Sequence, residues 1–217
     1  MEKMIAQFKN GFTLAEVLIT LVIIGVVAAM TIPTVINNTK KQEYVSKLKK
    51  VYSTLAQATN LIIAEEGPIP VWSDEKGVVH GFYKKKLVNA KECGYNSGCF
   101  EQGAYKTLNN NSSGTWNNDG SMYKLILSDG VQISFEPFNS ACDSVGYSSQ
   151  EENACMFIEA DLNGGKLPNT IGRDVFLFVL RKDGLQPAGI DKEQYCNTSQ
   201  IGYNCAAKVL KDGAMNY

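Results

Sequence analysis

The stretch KNGFTLAEVLITLVIIGVVAAMTIPTV, residues 9–35, decides how this chain is organised. From Phe12 to Ile36 it carries one charged residue, Glu16, and it is apolar and long enough for the helix of about 20 residues that crosses a bilayer. A carboxylate inside such a span costs roughly 3 kcal/mol and usually marks a function that gives it a partner. A plain membrane anchor therefore explains the length of the stretch but not Glu16.

A secretory signal peptide is another interpretation of an apolar N-terminal run. Signal peptides have an apolar region of about 7–15 residues followed by a small-residue cleavage site. The run in this sequence is longer, no convincing Ala-x-Ala site follows it, and Glu16 stands at its start. These features count against a signal peptide.

The composition of the whole chain narrows the function classes. A length of 217 residues predicts one folded domain with accessory segments. The net charge of −1, without a long basic run, gives no electrostatic footprint for nucleic acid. The single histidine, His80, and the lack of a Gly-x-Ser-x-Gly motif leave nothing that indicates an enzyme.

Six cysteines, all beyond residue 90, predict disulfide bonds and an oxidising compartment. A zinc site is disfavoured because no Cys-x-x-Cys pair occurs, and free buried thiols are the remaining alternative. Six cysteines can pair in many ways, and we expect nearest neighbours in the sequence to pair, which closes local loops. The expected pairs are Cys93–Cys99, Cys142–Cys155 and Cys196–Cys205.

The start of the apolar run resembles the prepilin processing motif of type IV pilins and type II secretion pseudopilins. The family pattern is a short basic leader that ends in Gly, then Phe, Thr-Leu and a Glu as the fifth residue of the mature chain. The matching residues here are Gly11, Phe12, Thr13, Leu14 and Glu16. The resemblance is tight over about the first 30 residues and looser beyond them.

The resemblance implies a processing and assembly route. Residues 1–11 would be the leader, which a prepilin peptidase would remove between Gly11 and Phe12, and the new amine of Phe12 would be methylated. Residues 12–36 would form the transmembrane and polymerisation helix. The carboxylate of Glu16 would pair with the Phe12 amine of a neighbouring subunit, which matters because an unpaired buried charge is costly. Gly25 and Pro33 would soften the helix, since both are poor helix formers.

The resemblance also implies a function and a location. The chain would be a structural subunit, a pilin or pseudopilin, of a type IV pilus-like or type II secretion filament. It would reside in the bacterial inner membrane among lipids, with a cytoplasmic N-terminus and the globular domain outside. An assembly platform with a cytoplasmic ATPase would then extract it into a periplasmic or cell-surface filament with other pilin subunits. The alternative is a membrane-tethered extracytoplasmic binding protein or adhesin that does not polymerise, and the sequence leaves the subtype and the system open.

The charges that flank the span predict the opposite orientation. Counting Lys and Arg places the more basic flank inside the cell. Two lysines precede the span, whereas five follow it, at positions 40, 41, 47, 49 and 50. We give the cysteines more weight, because disulfides require the C-terminal side to lie outside the cytoplasm.

The remainder, residues 37–217, predicts a globular pilin-like domain of the α+β class. Residues 37–66 show helical periodicity and end at Gly67-Pro68, residues 67–120 read as a variable loop, and residues 121–217 hold the sheet and a C-terminal disulfide loop. Apolar residues at helical spacing form one stripe: Tyr44, Val45, Leu48, Val51, Tyr52, Leu55, Thr59 and Ile62. About four strands are expected, at residues 122–127, 131–136, 155–161 and 175–181. The fold expected is a long N-terminal helix packed on an antiparallel sheet, with disulfide-stabilised loops.

The stretch DLNGGKLPNTIGRD, residues 161–174, is the second candidate site. Its Asp-x-Asn-Gly opening resembles a calcium loop, but no acidic residue closes it at the EF-hand offset. Pseudopilins of the type II secretion system bind calcium in a loop of the sheet region, so the resemblance implies oxygen ligands from Asp161, Asn163 and Asp174. The alternative is ordinary turn chemistry, in which Asp and Asn side chains accept backbone hydrogen bonds. No other cofactor is expected.

Overall fold

The computed structural model describes residues 11–100, 105–113, 120–146 and 151–217. The predicted leader therefore lies outside the described residues, apart from Gly11. The chain divides into two compact units, Met1–Lys40 and Lys41–Tyr217. The domain boundary predicted from the sequence lies between residues 36 and 37.

In the first unit, the helix α1 (Leu14–Glu66) begins and continues through Gly25 and Pro33. Its large apolar side chains are exposed, from Leu14 at 78% to Ile36 at 46% of full accessibility. Among the described residues, α1 is the helix that is long and apolar enough to cross a membrane. Such a continuous apolar surface is not stable in water, so this part of α1 requires lipid or another protein around it.

The second unit begins with the remaining turns of α1, which bury one face. The buried residues are Tyr44, Val45, Leu48, Val51, Leu55, Ala58, Thr59 and Ile62. This is the predicted stripe with Ala58 added and Tyr52 only partly buried. The helix ends at Glu66, because Gly67 adopts a positive φ of 85° that favours glycine.

The sheet of the second unit has six antiparallel strands. They are β1 (Asn89–Gly94), β2 (Tyr123–Leu127), β3 (Gln132–Phe135), β6 (Met156–Asp161), β7 (Val175–Arg181) and β8 (Gly184–Pro187), side by side in this order. A separate hairpin of β4 (Ser144–Gly146) and β5 (Glu151–Ala154) lies in the chain between β3 and β6. One face of the sheet joins α1 in the main core, with Leu125, Ile133, Ile158 and Phe178 fully buried. The fold is α+β and pilin-like, as predicted.

The opposite face of the sheet is also covered. Two smaller apolar clusters lie there, one around Phe157, Leu177 and Val179 and the other around Tyr105 and Val175. Tyr203, from the segment before the C-terminal helix α3 (Cys205–Asp212), packs against both clusters. Strands β6 and β7 are therefore buried on both faces, which explains their nearly continuous apolar sequences.

Several elements differ from the predictions. The sheet has six strands rather than about four: β1 lies in the predicted variable loop, and β8 follows the last predicted strand. Strand β1 is an edge strand with two register shifts, so its sequence NAKECG lacks alternation. The helix α2 (Val78–Lys86) also lies in the predicted variable loop, and its N-cap, Gly77, makes no side-chain cap. α3 lies in the segment predicted as a C-terminal disulfide loop.

Three disulfides connect nearest neighbours in the sequence: Cys93–Cys99, Cys142–Cys155 and Cys196–Cys205. This is the expected pairing. The first closes a loop at the end of β1, the second joins the segment before β4 to the residue between β5 and β6, and the third ties a loop to the first residue of α3. Each bond fixes a loop next to an element of the second unit, consistent with an oxidising environment.

Candidate functional site

The first candidate site is the start of α1. Thr13 precedes the helix and Glu16 lies in its first turn. The backbone N–H and the hydroxyl of Thr13 both donate to Oε2 of Glu16, each at 2.8 Å, and the backbone N–H of Glu16 donates to Oγ1 of Thr13 at 3.2 Å. This reciprocal arrangement is a capping box, and the positive end of the helix dipole adds a favourable field for the carboxylate.

The capping box changes the interpretation of Glu16. The resemblance implies a carboxylate that depends on a neighbouring subunit, whereas the structure gives it two donors within its own chain. The capping role of Thr13 was not predicted, although the spacing Thr-x-x-Glu before an apolar run is the sequence signature of this cap. The pairing of Glu16 with the Phe12 amine of a neighbour stays a prediction.

Gly25 and Pro33 both lie inside α1. A Cβ atom at Gly25 would meet no heavy atom within 4 Å among the described residues, so packing inside this unit does not require a glycine there. Softening of the helix at these positions stays a prediction.

The second candidate site is the loop between β6 and β7. Asp161, at the end of β6, is fully buried and accepts four hydrogen bonds. Its donors are the backbone N–H groups of residues 163 and 164 at 3.1 and 3.0 Å, that of residue 165 at 3.0 Å, and the hydroxyl of Tyr105 at 2.8 Å. Burial raises the pKa of Asp161, although these donors oppose the shift.

Asp174 closes the same loop from its other end. It is fully buried and accepts from the backbone N–H groups of Asn169 at 2.8 Å and Thr170 at 2.6 Å. The side-chain amide of Asn163 donates to Asp174 at 3.0 Å and to the hydroxyl of Tyr44 on α1 at 3.1 Å. Burial raises the pKa of Asp174 to about 6, and the charge of nearby Asp161 adds to the effect. The structure thus brings all three predicted residues together.

The residues of this loop do not fit a calcium ion as placed. Calcium takes 6–8 oxygen ligands, and carboxylates are its strongest ones in proteins. Here the oxygens of Asp161 and Asp174 face N–H and O–H donors, and Asn163 turns its nitrogen rather than its oxygen toward Asp174. The arrangement matches the turn-chemistry alternative. Calcium binding itself stays a prediction.

A third feature is a cavity of about 180 Å³ beside α2, which is lined by Val79, His80, Tyr95 and Phe138 among others. His80 is buried, its Nε2 lies 3.0 Å from the carbonyl oxygen of Glu136, and its Nδ1 lies 2.8 Å from the hydroxyl of Tyr95. Both ring nitrogens therefore have partners, and burial lowers the pKa of His80. This histidine stabilises the core and offers no ring nitrogen to a substrate.

Comparisons with known proteins agree with the N-terminal site. Residues 7–32 match the prokaryotic N-terminal methylation motif. A fimbrial protein, EcpC of Eikenella corrodens, is 33% identical over 75 residues, which is 35% of this chain and 42% of that protein. The chain thus aligns with less than half the length of this relative. No solved structure matches the chain.

The capped glutamate at the start of an apolar helix, the methylation motif and the packing of the second half of the helix on an antiparallel sheet are features of the pilin class. Residues 34–215 match a family described only as a family of unknown function (DUF6613). Because the match covers most of the chain, the protein belongs to this family.

Proposed function

We propose that this chain is a structural subunit that prepilin peptidase cleaves between Gly11 and Phe12 and that polymerises through residues 12–36. The observation that carries the proposal is the start of α1. There, a glutamate at the fifth position after the cleavage motif is held by Thr13 on a helix whose apolar surface is otherwise exposed. An exposed surface of this kind fits lipid before assembly and the helices of other subunits after it.

The proposed partners follow from this route. Before assembly the apolar half of α1 would lie in the inner membrane, with the N-terminus in the cytoplasm and the disulfide-bonded unit outside. An inner-membrane platform with a cytoplasmic ATPase would extract the subunit into a pilus-like or secretion filament with other pilin subunits. The match to a methylation motif and to part of a fimbrial protein supports the pilin class and favours neither kind of filament.

The first test is the mass of the mature N-terminus. We expect a chain that begins at Phe12 and carries one methyl group on its amine. An intact N-terminus, or cleavage beyond residue 30, would contradict the prepilin assignment.

The second test separates polymerisation from tethering. Glu16→Gln removes the charge but keeps a carbonyl oxygen that can accept from Thr13, so the cap is retained and the charge pair with a neighbour is lost. We expect the variant to accumulate in the membrane but to be absent from purified filaments. Glu66→Gln, the same change at the exposed end of α1, serves as the control and should be incorporated normally.

The alternative function has a distinct outcome in this test. A membrane-tethered binding protein or adhesin would be found only as a membrane-bound monomer, whatever residue stands at position 16. That result, or normal incorporation of Glu16→Gln, would refute polymerisation through a charge pair at Glu16.

A further inference from the structure

We infer that the loop between Asp161 and Asp174 is closed by hydrogen-bond donors of the chain itself, and that the amide of Asn163 takes the place that a metal ion would occupy between two carboxylates. The inference concerns the second compact unit alone and does not depend on whether the chain polymerises. It disagrees with the calcium prediction drawn from the resemblance to pseudopilins.

The first argument is the number of donors. An ionised carboxylate offers about four lone-pair sites for hydrogen bonds. Asp161 accepts four hydrogen bonds, two on each oxygen, and Asp174 accepts three. Nearly all acceptor sites of the two carboxylates are therefore occupied by N–H and O–H groups, and a cation would have to displace these donors.

The second argument is the position of Asn163. Its backbone N–H donates to Oδ1 of Asp161 at 3.1 Å, and its side-chain amide donates to Oδ2 of Asp174 at 3.0 Å. One residue thus bridges both carboxylates through donors, as a cation bridges them through its charge. The contact of the same amide with Tyr44 at 3.1 Å joins the loop to α1.

A third observation concerns the side-chain oxygens that remain available to a metal ion. Among the described residues, the buried side-chain oxygens of this loop without a hydrogen-bond partner are Oδ1 of Asn163 and Oδ1 of Asn169. Both are neutral amide oxygens, whereas calcium takes 6–8 oxygen ligands with several carboxylates among them. Two amide oxygens, beside two carboxylates whose acceptor sites are nearly all occupied, are not a calcium-binding set of side chains.

The main experiment is thermal unfolding of the full chain in detergent, followed by circular dichroism, with EDTA or with about 1 mM CaCl₂, the weak end of protein calcium sites. We expect the same midpoint in both buffers. A midpoint that rises with calcium concentration would overturn the inference, because a ligand that binds only the folded state must stabilise it.

A variant tests the role assigned to the amide. Asn163→Asp replaces the donor by a third carboxylate next to Asp161 and Asp174. We expect a lower midpoint in EDTA and a rise of about 3 °C or more on adding calcium, because the new carboxylate needs a cation. Asn60→Asp, the same change on the exposed face of α1, is the control. Its midpoint should equal that of the wild-type chain both in EDTA and with calcium.

Each result decides the inference. The inference is supported in full if calcium leaves the midpoint of the wild-type chain unchanged and raises the midpoint of the Asn163→Asp variant. A variant that is destabilised but does not respond to calcium would contradict the substitution of the amide for a metal ion. If the variant does not fold, isothermal titration of the wild-type chain with CaCl₂ is the deciding measurement, and detectable binding that Asp174→Asn abolishes would overturn the inference.

Discussion

The hydrogen bond between Thr59 and Tyr83 connects α1 to α2, and its removal should have a measurable cost. The two hydroxyl oxygens lie 2.7 Å apart, and both side chains are fully buried. The hydroxyl of Thr59 also lies 2.8 Å from the carbonyl oxygen of Leu55, which can only accept a hydrogen bond, so Thr59 donates its single proton there. Tyr83 is therefore the donor to Thr59, and burial raises the pKa of its hydroxyl.

The magnitudes follow from what each substitution leaves behind. Thr59→Val keeps the shape but leaves the buried hydroxyl of Tyr83 without its acceptor, which should lower the free energy of unfolding by about 1–3 kcal/mol. Tyr83→Phe removes the donor while Thr59 keeps its bond to Leu55, so the loss should be about 0.5–1.5 kcal/mol. The double variant replaces both groups by apolar ones, and we expect its loss to be about 1 kcal/mol smaller than the sum of the two single losses.

The assay is urea denaturation of the full chain in detergent, followed by tryptophan fluorescence. Trp72 is a suitable reporter because it is buried and packs edge-on against Phe82 of α2. Thr54→Val is a matched control, since Thr54 donates to the carbonyl oxygen four residues earlier on an exposed part of α1, and it should change the free energy by less than about 0.5 kcal/mol. Additive losses, with a coupling below about 0.3 kcal/mol, would refute the assignment.

The remaining predictions concern pH, the helix cap and a buried ion pair. The pKa of Asp174 in the fold is about 6, above its ordinary value of 3.8, so its contribution to stability is complete below pH 4 and is lost as the pH rises through 6. Urea denaturation in EDTA should show a loss of up to about 3 kcal/mol over this range, and Asp174→Asn should make the loss smaller, because only the raised pKa of Asp161 then contributes. Thr13→Val removes the cap, worth about 1 kcal/mol, and should reduce the amount of chain in immunoblots of the membrane fraction several-fold, whereas Thr13→Ser should not. Glu151 is buried, pairs with Arg181 at 2.6 Å and accepts from the buried N–H of Gly189 at 2.7 Å, so Glu151→Ala should cost about 1–3 kcal/mol in the same urea assay, against less than about 0.5 for exposed Glu152→Ala.

The parts of the fold that sequence reasoning predicted have strong local signals. The buried face of α1 follows from helical spacing, and the β2–β3 hairpin follows from Asp129-Gly130, where Gly130 adopts a φ of 87° and Asp129 accepts from the N–H of residue 131. Strand β7 is a continuous apolar run up to Arg181, β6 is a nearly continuous one, and turn residues follow both. In each case the signal is local in the sequence.

The missed elements depend on tertiary contacts. Strand β1 pairs with β2 through polar residues and register shifts, and its sequence alone has no strand pattern. α2 contains Gly81 and two adjacent valines, which are weak helix formers, and it is stabilised by the buried Tyr83 and its bond to α1. Such elements form because they pack against the rest of the fold. A local sequence pattern does not indicate that packing.

The candidate sites also divide into features that local sequence signals predict and features that depend on tertiary contacts. The motif Gly-Phe-Thr-Leu-x-Glu identified the N-terminal site, and the spacing from Thr13 to Glu16 also contained the cap. The turn residues located the loop at residues 161–174. They could not show whether a metal ion or hydrogen-bond donors of the chain lie between its carboxylates. The hydroxyl that saturates Asp161 belongs to Tyr105, 56 residues away in the sequence.

In the proposed route, the capping box lets one carboxylate serve both the membrane-bound and the assembled subunit. An uncompensated carboxylate in a membrane span is costly, and hydrogen bonds to the charged group recover part of that cost. The two donors of Thr13 therefore stabilise the carboxylate inside a single chain, before any neighbour is present. In the proposed route, the amine of a neighbouring Phe12 is not needed to keep the monomer in the membrane, so it can act at assembly alone. This separation is why Thr13→Val should reduce the amount of monomer, whereas Glu16→Gln should leave the monomer in place and prevent its incorporation.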